Sequence, residues 1–134
     1  MSPPARGLAD TSVFIAEESD RALDVRLLPD ELAVSVVTLA ELTAGVLVAA
    51  DSGIRATRLA TLDALADVEV LPIDESAALS WARLRVHLAE TGRRMNVNDL
   101  WIAATALAHQ LPVVTQDADF QPVEGVGGLS IITV

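Results

Sequence analysis

Between Arg94 and Asp117 only one side chain carries a formal charge, Asp99. A stretch this apolar has to be buried on most sides, and NDLWIAATALAH within it is long enough for a helix over 98–109. That helix places Ile102, Ala103, Ala106 and Leu107 on one stripe, with Asn98 predicted as its N-cap. Asp99 then falls in the first turn, where unpaired N–H groups and the helix dipole favour a carboxylate. Taken alone, Asp99 is an acidic first-turn residue. The same event recurs, however: Asp10 is the only charge between Arg6 and Glu17, Glu41 the only one in 32–50, and Asp117 directly follows PVVTQ.

The rest of the chain punctuates those four segments. Residues 1–6 read as a loose end and Gly7 to Asp10 as a short strand closing on Asp10-Thr11-Ser12, a turn and helix cap. Glu17, Glu18 and Asp20 form a solvated face. Ala33 to Val37 is a buried β-branched strand, followed by a helix that Thr38 can cap with Glu41 as its capping-box partner. Residues 54–65 form an amphipathic helix with Arg55, Arg58 and Asp63 on its wet side, and Val68 to Ile73 a strand. The helix over 74–90 packs through Ala78, Trp81, Ala82 and Leu88 and wets Arg83, Arg85 and Glu90, so Trp81 belongs to the core rather than to a base-stacking platform. Pro112 to Thr115 and Leu129 to Val134 are strands, separated by Gln116–Phe120 and a loop with Gly125, Gly127 and Gly128. His87 and His109 lack partners at metal-ligand spacing. No repeat, linker or low-complexity tract divides the chain, so residues 1–134 are expected to form one domain.

Alternating strands and helices predict an α/β fold: a mainly parallel, twisted sheet of four to five strands, covered by helices on both faces. Right-handed crossovers gather the carboxyl ends of parallel strands on one edge, where ligands bind in such folds. Asp10 and Asp117 follow strands there, Glu41 lies just inside a helix leaving that edge, and Asp99 starts a helix whose antiparallel course begins there. All four acids are therefore expected in one crevice.

Composition narrows what the crevice can do. With no cysteine there is no thiolate site or disulfide, and with no lysine the chain lacks a group that receiver domains and haloacid-dehalogenase-type phosphatases need. No Ser-His-Asp set or glycine-rich phosphate loop is present. The net charge of −10, with every basic residue an arginine, opposes non-specific binding to phosphate backbones. A cation among the acids, or the arginines at 83, 85, 93 and 94, has to make such an approach tolerable. Clustered carboxylates without His or Cys select hard ions, Mg²⁺ or Mn²⁺, the usual equipment for in-line hydrolysis of a phosphodiester. The hydrophobic share of 51% and mean hydropathy of +0.43 suggest an apolar surface for a partner. The 32–50 segment is long enough to span a membrane, but its strand-like start and Glu41 argue against that. The N-terminus has no signal-peptide pattern, and a cytoplasmic location is expected.

LADTSVFI, VVTLAEL, NDLWIAATAL and VTQDADF, in this order, resemble the four motifs of PIN-domain ribonucleases, and the short layout is similar to VapC-type toxins of toxin–antitoxin pairs. The resemblance covers nearly the whole chain. It implies a PIN-like fold and a metal-dependent endoribonuclease that cleaves structured RNA, with Asp10, Glu41, Asp99 and Asp117 as metal-binding acids and Asp119 as an auxiliary ligand. Thr11, Ser12, Asn98 and Thr115 become auxiliary site residues, and Gln116 stands where the family commonly has a basic residue. The Leu32–Ala50 segment is apolar all round, so it and the helix after it are expected to form a groove for an amphipathic partner with a basic side chain among the acids; the resemblance implies that this partner is a small antitoxin and that the chain forms homodimers. Alternatives from other classes are a PIN-like nuclease acting on DNA and an inert acidic partner-binding module.

Overall fold

The computed structural model describes residues 4–134; Met1 to Pro3, part of the loose end expected at 1–6, lie outside the described residues. Five strands, β1 (Arg6–Ala9), β2 (Glu31–Ser35), β3 (Val70–Leu71), β4 (Val113–Thr115) and β5 (Ile131–Thr133), make one sheet in the order β3-β2-β1-β4-β5. Every pairing is parallel. Five helices connect them: α1 (Thr11–Glu18), α2 (Val36–Val48), α3 (Ser52–Asp63), α4 (Glu75–Thr91) and α5 (Val97–Ala108).

Side-chain alternation along the central strands decides which helix covers which face. Leu8, Ala33 and Val113 point into one core with Leu84, Leu88 and Ile102, the face of α4 and α5. Their neighbours Ala9, Val34 and Val114 point into a second core with Val13, Leu42 and Leu65, the face of α1 to α3. The central strand is squeezed from its sides as well. A Cβ on Gly7 would stand 2.8 Å from Val114 Cγ2 and 2.9 Å from Pro29 Cγ, so only glycine fits there.

Several boundaries differ from the sequence expectations, for local reasons. The second strand ends at Ser35, not Val37, because the Ser35 hydroxyl accepts the Val37 N–H at 2.9 Å and starts α2 there. Thr38 is therefore inside the first turn and fully buried, not a cap. Asn96, not Asn98, caps α5: its side-chain oxygen accepts the N–H groups of Asn98 at 2.8 Å and Asp99 at 3.4 Å. The 68–73 strand shrinks to Val70–Leu71, preceded by a 3-10 turn over Ala64–Asp67. On α4 the buried stripe is Ala77, Leu84 and Leu88, with Trp81 partly buried, while Ala78 and Ala82 are exposed. Trp81 does belong to the packing, stacked on Trp101 with ring centroids 5.1 Å apart. Arg55 and Arg58 do more than wet α3. They donate to the carbonyls of Ala49 and Gly45, both at 2.8 Å, and tie α3 to the C-terminal end of α2. Among the described residues no helix is long and apolar enough to cross a membrane.

Candidate active site

The strand order reverses between β1 and β4: the chain leaves β1 toward β2 on one side and returns to β4 on the other. Open parallel sheets present their ligand crevice at that point. Asp10 follows β1 directly and is only 4% exposed. It occupies the N-cap position of α1, yet its side chain makes no capping hydrogen bond. Its carboxylate instead accepts from the buried Thr115 hydroxyl, Oγ1 to Oδ2 at 3.0 Å, across the switch point.

One network of short polar side chains holds this corner. Thr115 Oγ1 lies 3.0 Å from Asp10 Oδ2 and 3.3 Å from Asp117 Oδ1. A hydroxyl has one proton, and the shorter contact takes it. The remaining lone pairs face the Asp117 N–H at 3.3 Å and the Ser12 hydroxyl at 3.2 Å. Ser12 Oγ in turn accepts the Gln116 N–H at 3.0 Å. On the other flank Thr11 Oγ1 sits 2.8 Å from Glu41 Oε1 and 3.0 Å from Thr38 Oγ1. Its proton goes to the carboxylate, the stronger acceptor, and fixes Glu41 relative to α1. Asp117 Oδ1 accepts the Asp119 N–H at 3.1 Å, closing a tight turn. That turn is anchored from below by Phe120, which is fully buried in the α4–α5 core.

Asp99 faces this cluster from the first turn of α5, half-buried. With the capping work done by Asn96, its carboxylate is spare. Burial raises its pKa to about 7, and the charges of Asp10, Asp119, Asp117 and Glu41 push in the same direction. Burial also raises Asp10, outweighing the hydrogen bonding, that of Thr115 included, that favours its charged form. So Asp99 feels four other acids, drawn from three other segments of the chain. Among the described residues, the ion pairs are those of Arg6 with Glu31 and Glu69 and of Arg26 with Asp24, and none engages these acids.

An all-oxygen donor set with uncompensated negative charge suits a hard divalent cation in donor type and charge. Among the described residues no three acids already converge as a ready coordination group, so the fit rests on donor chemistry and charge.

The other expected site residues fall into place unequally. Asn98 is exposed on the first turn of α5, where its N–H is taken by Asn96. Gln116 sends its side-chain amide away from the acids, to the carbonyls of Val134 and Ala22, and pins the C-terminal segment to the α1–β2 connection. One contributor escaped the sequence expectations: Thr38, which meets Thr11; Arg93 and Arg94, two of the four arginines expected to ease the approach of a phosphate backbone, line one concavity with Asp99 and Asp119. The only signal for Thr38 was its place inside the VVTLAEL motif.

The PIN domain profile matches residues 8–126. Ribonuclease VapC5 of Mycobacterium tuberculosis is 60% identical over 131 residues, covering 98% of this chain and 97% of the relative. Ribonuclease VapC4 of the same organism is 44% identical over 126 residues, covering 94% and 97%. A crystal structure of VapBC-5, a member of the VapBC family of toxin–antitoxin systems from Mycobacterium tuberculosis, superposes with a TM-score of 0.92 at 58% identity, covering 98% of this chain and 100% of that one. With this fold, this crevice and these relatives, the chain belongs to the PIN-domain family and, within it, to the VapC ribonucleases.

Proposed function

We propose that this chain is a divalent-metal-dependent endoribonuclease, the toxin of a toxin–antitoxin pair, whose residues 1–134 form one PIN-type nuclease domain. What carries the reading is Asp99: a carboxyl held near pKa 7 by burial and four neighbouring acids, with no capping duty of its own. The dipole at a helix start would by itself favour the charged form, the opposite of this shift. Asp10, Glu41, Asp99 and Asp117 would hold the ion, Mg²⁺ or Mn²⁺, with Asp119 assisting. When bound, such an ion supplies Lewis acidity toward the phosphodiester and lowers the pKa of the attacking water. The chain's own residues do the rest. Thr115 and Thr11 hold Asp10 and Glu41 in fixed rotamers through hydroxyl donation. Asp99, whose carboxyl holds its proton up to about pH 7 in the metal-free fold, would give that proton up as the ion binds.

The antitoxin surface follows from which side of α2 the core leaves uncovered. Leu42 and Ala49 are buried, whereas Leu47 and Val48 are each 74% exposed and Leu39, about two turns earlier, is 37% exposed. Exposed Ile54 and Leu59 of the neighbouring α3 continue that face. An amphipathic segment fits such a surface, and a basic side chain at its end would reach the acids and replace the cation. The exposed Leu79 and Val86 of α4 offer a face for the homodimer. A cytoplasmic location goes with RNA as substrate. The deciding experiment compares purified wild type and Asp99→Asn on a structured RNA, with Mg²⁺, Mn²⁺ or chelator. Cleavage that survives chelation, or an Asp99→Asn variant as fast as wild type, refutes the site.

A further inference from the structure

The loop joining α4 to α5 carries Arg93 and Arg94, and beside it opens a cavity of about 600 Å³. Leu88, Met95 and Val97 contribute apolar walls and Arg85, Arg93 and Arg94 contribute guanidinium groups. Arg93, Arg94 and Met95 also line the smaller concavity, of about 330 Å³, that contains Asp99 and Asp119. One lip of shared residues therefore joins the cavity to the acids.

Charge makes this lip unusual. The chain has 9 basic residues against 19 acidic ones, and three of the nine lie at this one cavity. Among the described residues none of the three makes an ion pair; those pairs belong to Arg6 and Arg26. Val97, at the first position of α5, is 64% exposed in spite of being apolar. Guanidinium groups beside an apolar hollow match a ligand that alternates flat apolar rings with phosphates. A paired helix keeps its bases stacked inside and cannot offer one to a cavity, whereas a loop or single strand can.

Resting on the ribonuclease reading above, we propose that this cavity seats an unpaired nucleotide flanking the scissile bond. Arg93 and Arg94 hold the phosphates between it and Asp99, so the strand is led across the α4–α5 loop into the acidic crevice.

The test is binding of a short fluorescein-labelled single-stranded RNA of mixed sequence to the full chain, followed by anisotropy over a range of salt with Ca²⁺ in place of Mg²⁺. Replacing both Arg93→Gln and Arg94→Gln should make the log–log salt slope shallower by about 1.4, since each single-strand phosphate contact contributes about 0.7. At ~0.15 M salt the same loss amounts to about tenfold in Kd. Val97→Asp should also weaken binding while keeping or raising the melting temperature, because an acid suits the first turn of a helix. Arg26→Gln, whose arginine pairs with Asp24, should change neither slope nor affinity. In cleavage assays the double variant should raise KM and leave kcat close to wild type. An unchanged salt slope in the double variant, a preference of the wild type for blunt duplex over single strand, or no RNA binding at all overturns the inference. A wild type that binds with the expected slopes but cuts nothing supports the inference and refutes the nuclease reading instead.

Discussion

Aspartate stands at the N-cap of α1, α3 and α4, yet it is used in opposite ways. Asp51 and Asp74 accept the N–H three residues on, at 2.9 Å each, and do what a helix start asks of them. Asp10 occupies the same position and caps nothing; its carboxylate points across the sheet to Thr115. Asp99, in the first turn of α5, is likewise relieved of capping by Asn96. An acid at a helix start that leaves the backbone unserved is being kept for something else. The amino-acid type and its position do not distinguish the two uses. The partner of the carboxylate does.

Breaking the comparison at its strongest point means removing charge while keeping shape. Asp10→Asn and Asp99→Asn should each slow RNA cleavage by several orders of magnitude, whereas Asp51→Asn and Asp74→Asn should cut like wild type, because Asn caps as well as Asp. Equal losses in both groups, in a gel assay on purified proteins, would mean that cleavage reports folding and not the crevice.

Stability should separate the groups by sign. Asp74→Ala removes a working cap and should cost about 1 kcal/mol, a fall of about 3–6 °C in Tm for a chain of this size. Asp99→Asn removes repulsion and should raise the metal-free Tm at neutral pH. A calorimetric scan in chelator in which both variants fall would erase the distinction.

The pH dependence sharpens the same contrast. The Asp99 carboxyl ordinarily titrates at 3.8 and in the fold near 7. Below about pH 4 both states hold the proton and the stabilisation is complete. As pH rises toward 7 the unfolded chain has already released it, so stability declines until the folded carboxyl ionises too. Wild type in chelator should lose more Tm between pH 5 and pH 8 than Asp99→Asn does, and Mg²⁺ should restore the difference at the alkaline end. Parallel pH profiles for the two proteins would place Asp99 outside the strained cluster.

The smallest effect on cleavage belongs to the apolar face of α2. Val48→Glu should leave the rate of the free chain within about twofold, since exposed substitutions rarely shift stability by more than ~0.5 kcal/mol. Inhibition by a co-expressed cognate antitoxin should weaken sharply. An antitoxin that inhibits this variant as well as wild type binds elsewhere.

Much of this was readable beforehand where burial leaves a single option. A lone acid in an apolar run is conspicuous, and alternating strands and helices bring such acids to one sheet edge, so Asp10, Glu41, Asp99 and Asp117 could be gathered without coordinates. Details depending on near-equal alternatives were not readable. Asn96 and Asn98 cap equally well by type, and only the extended backbone of Asn96 (φ −57°, ψ 139°) decides between them. On α4 the run ESAALSWARL offers two alanine stripes one residue apart; tertiary packing buries Ala77 and leaves Ala78 exposed. Gln116 could be read only as a departure from a commonly basic position, because its reach to Val134 and Ala22 depends on how three distant segments meet.

The stacked indoles of Trp81 and Trp101 have an optical consequence. The chain contains no tyrosine and no other tryptophan, so its intrinsic emission excited at 295 nm comes from this one pair, whose rings are 5.1 Å apart and inclined by 21°. Rings so close couple electronically and produce a paired circular dichroism signal that vanishes when they part. One ring rides on α4 and the other on α5. Spectroscopy of the unlabelled protein is therefore a ruler for a single helix–helix seam, and a fluorescence melt followed at these wavelengths times the parting of that seam, blind to the opposite face of the sheet.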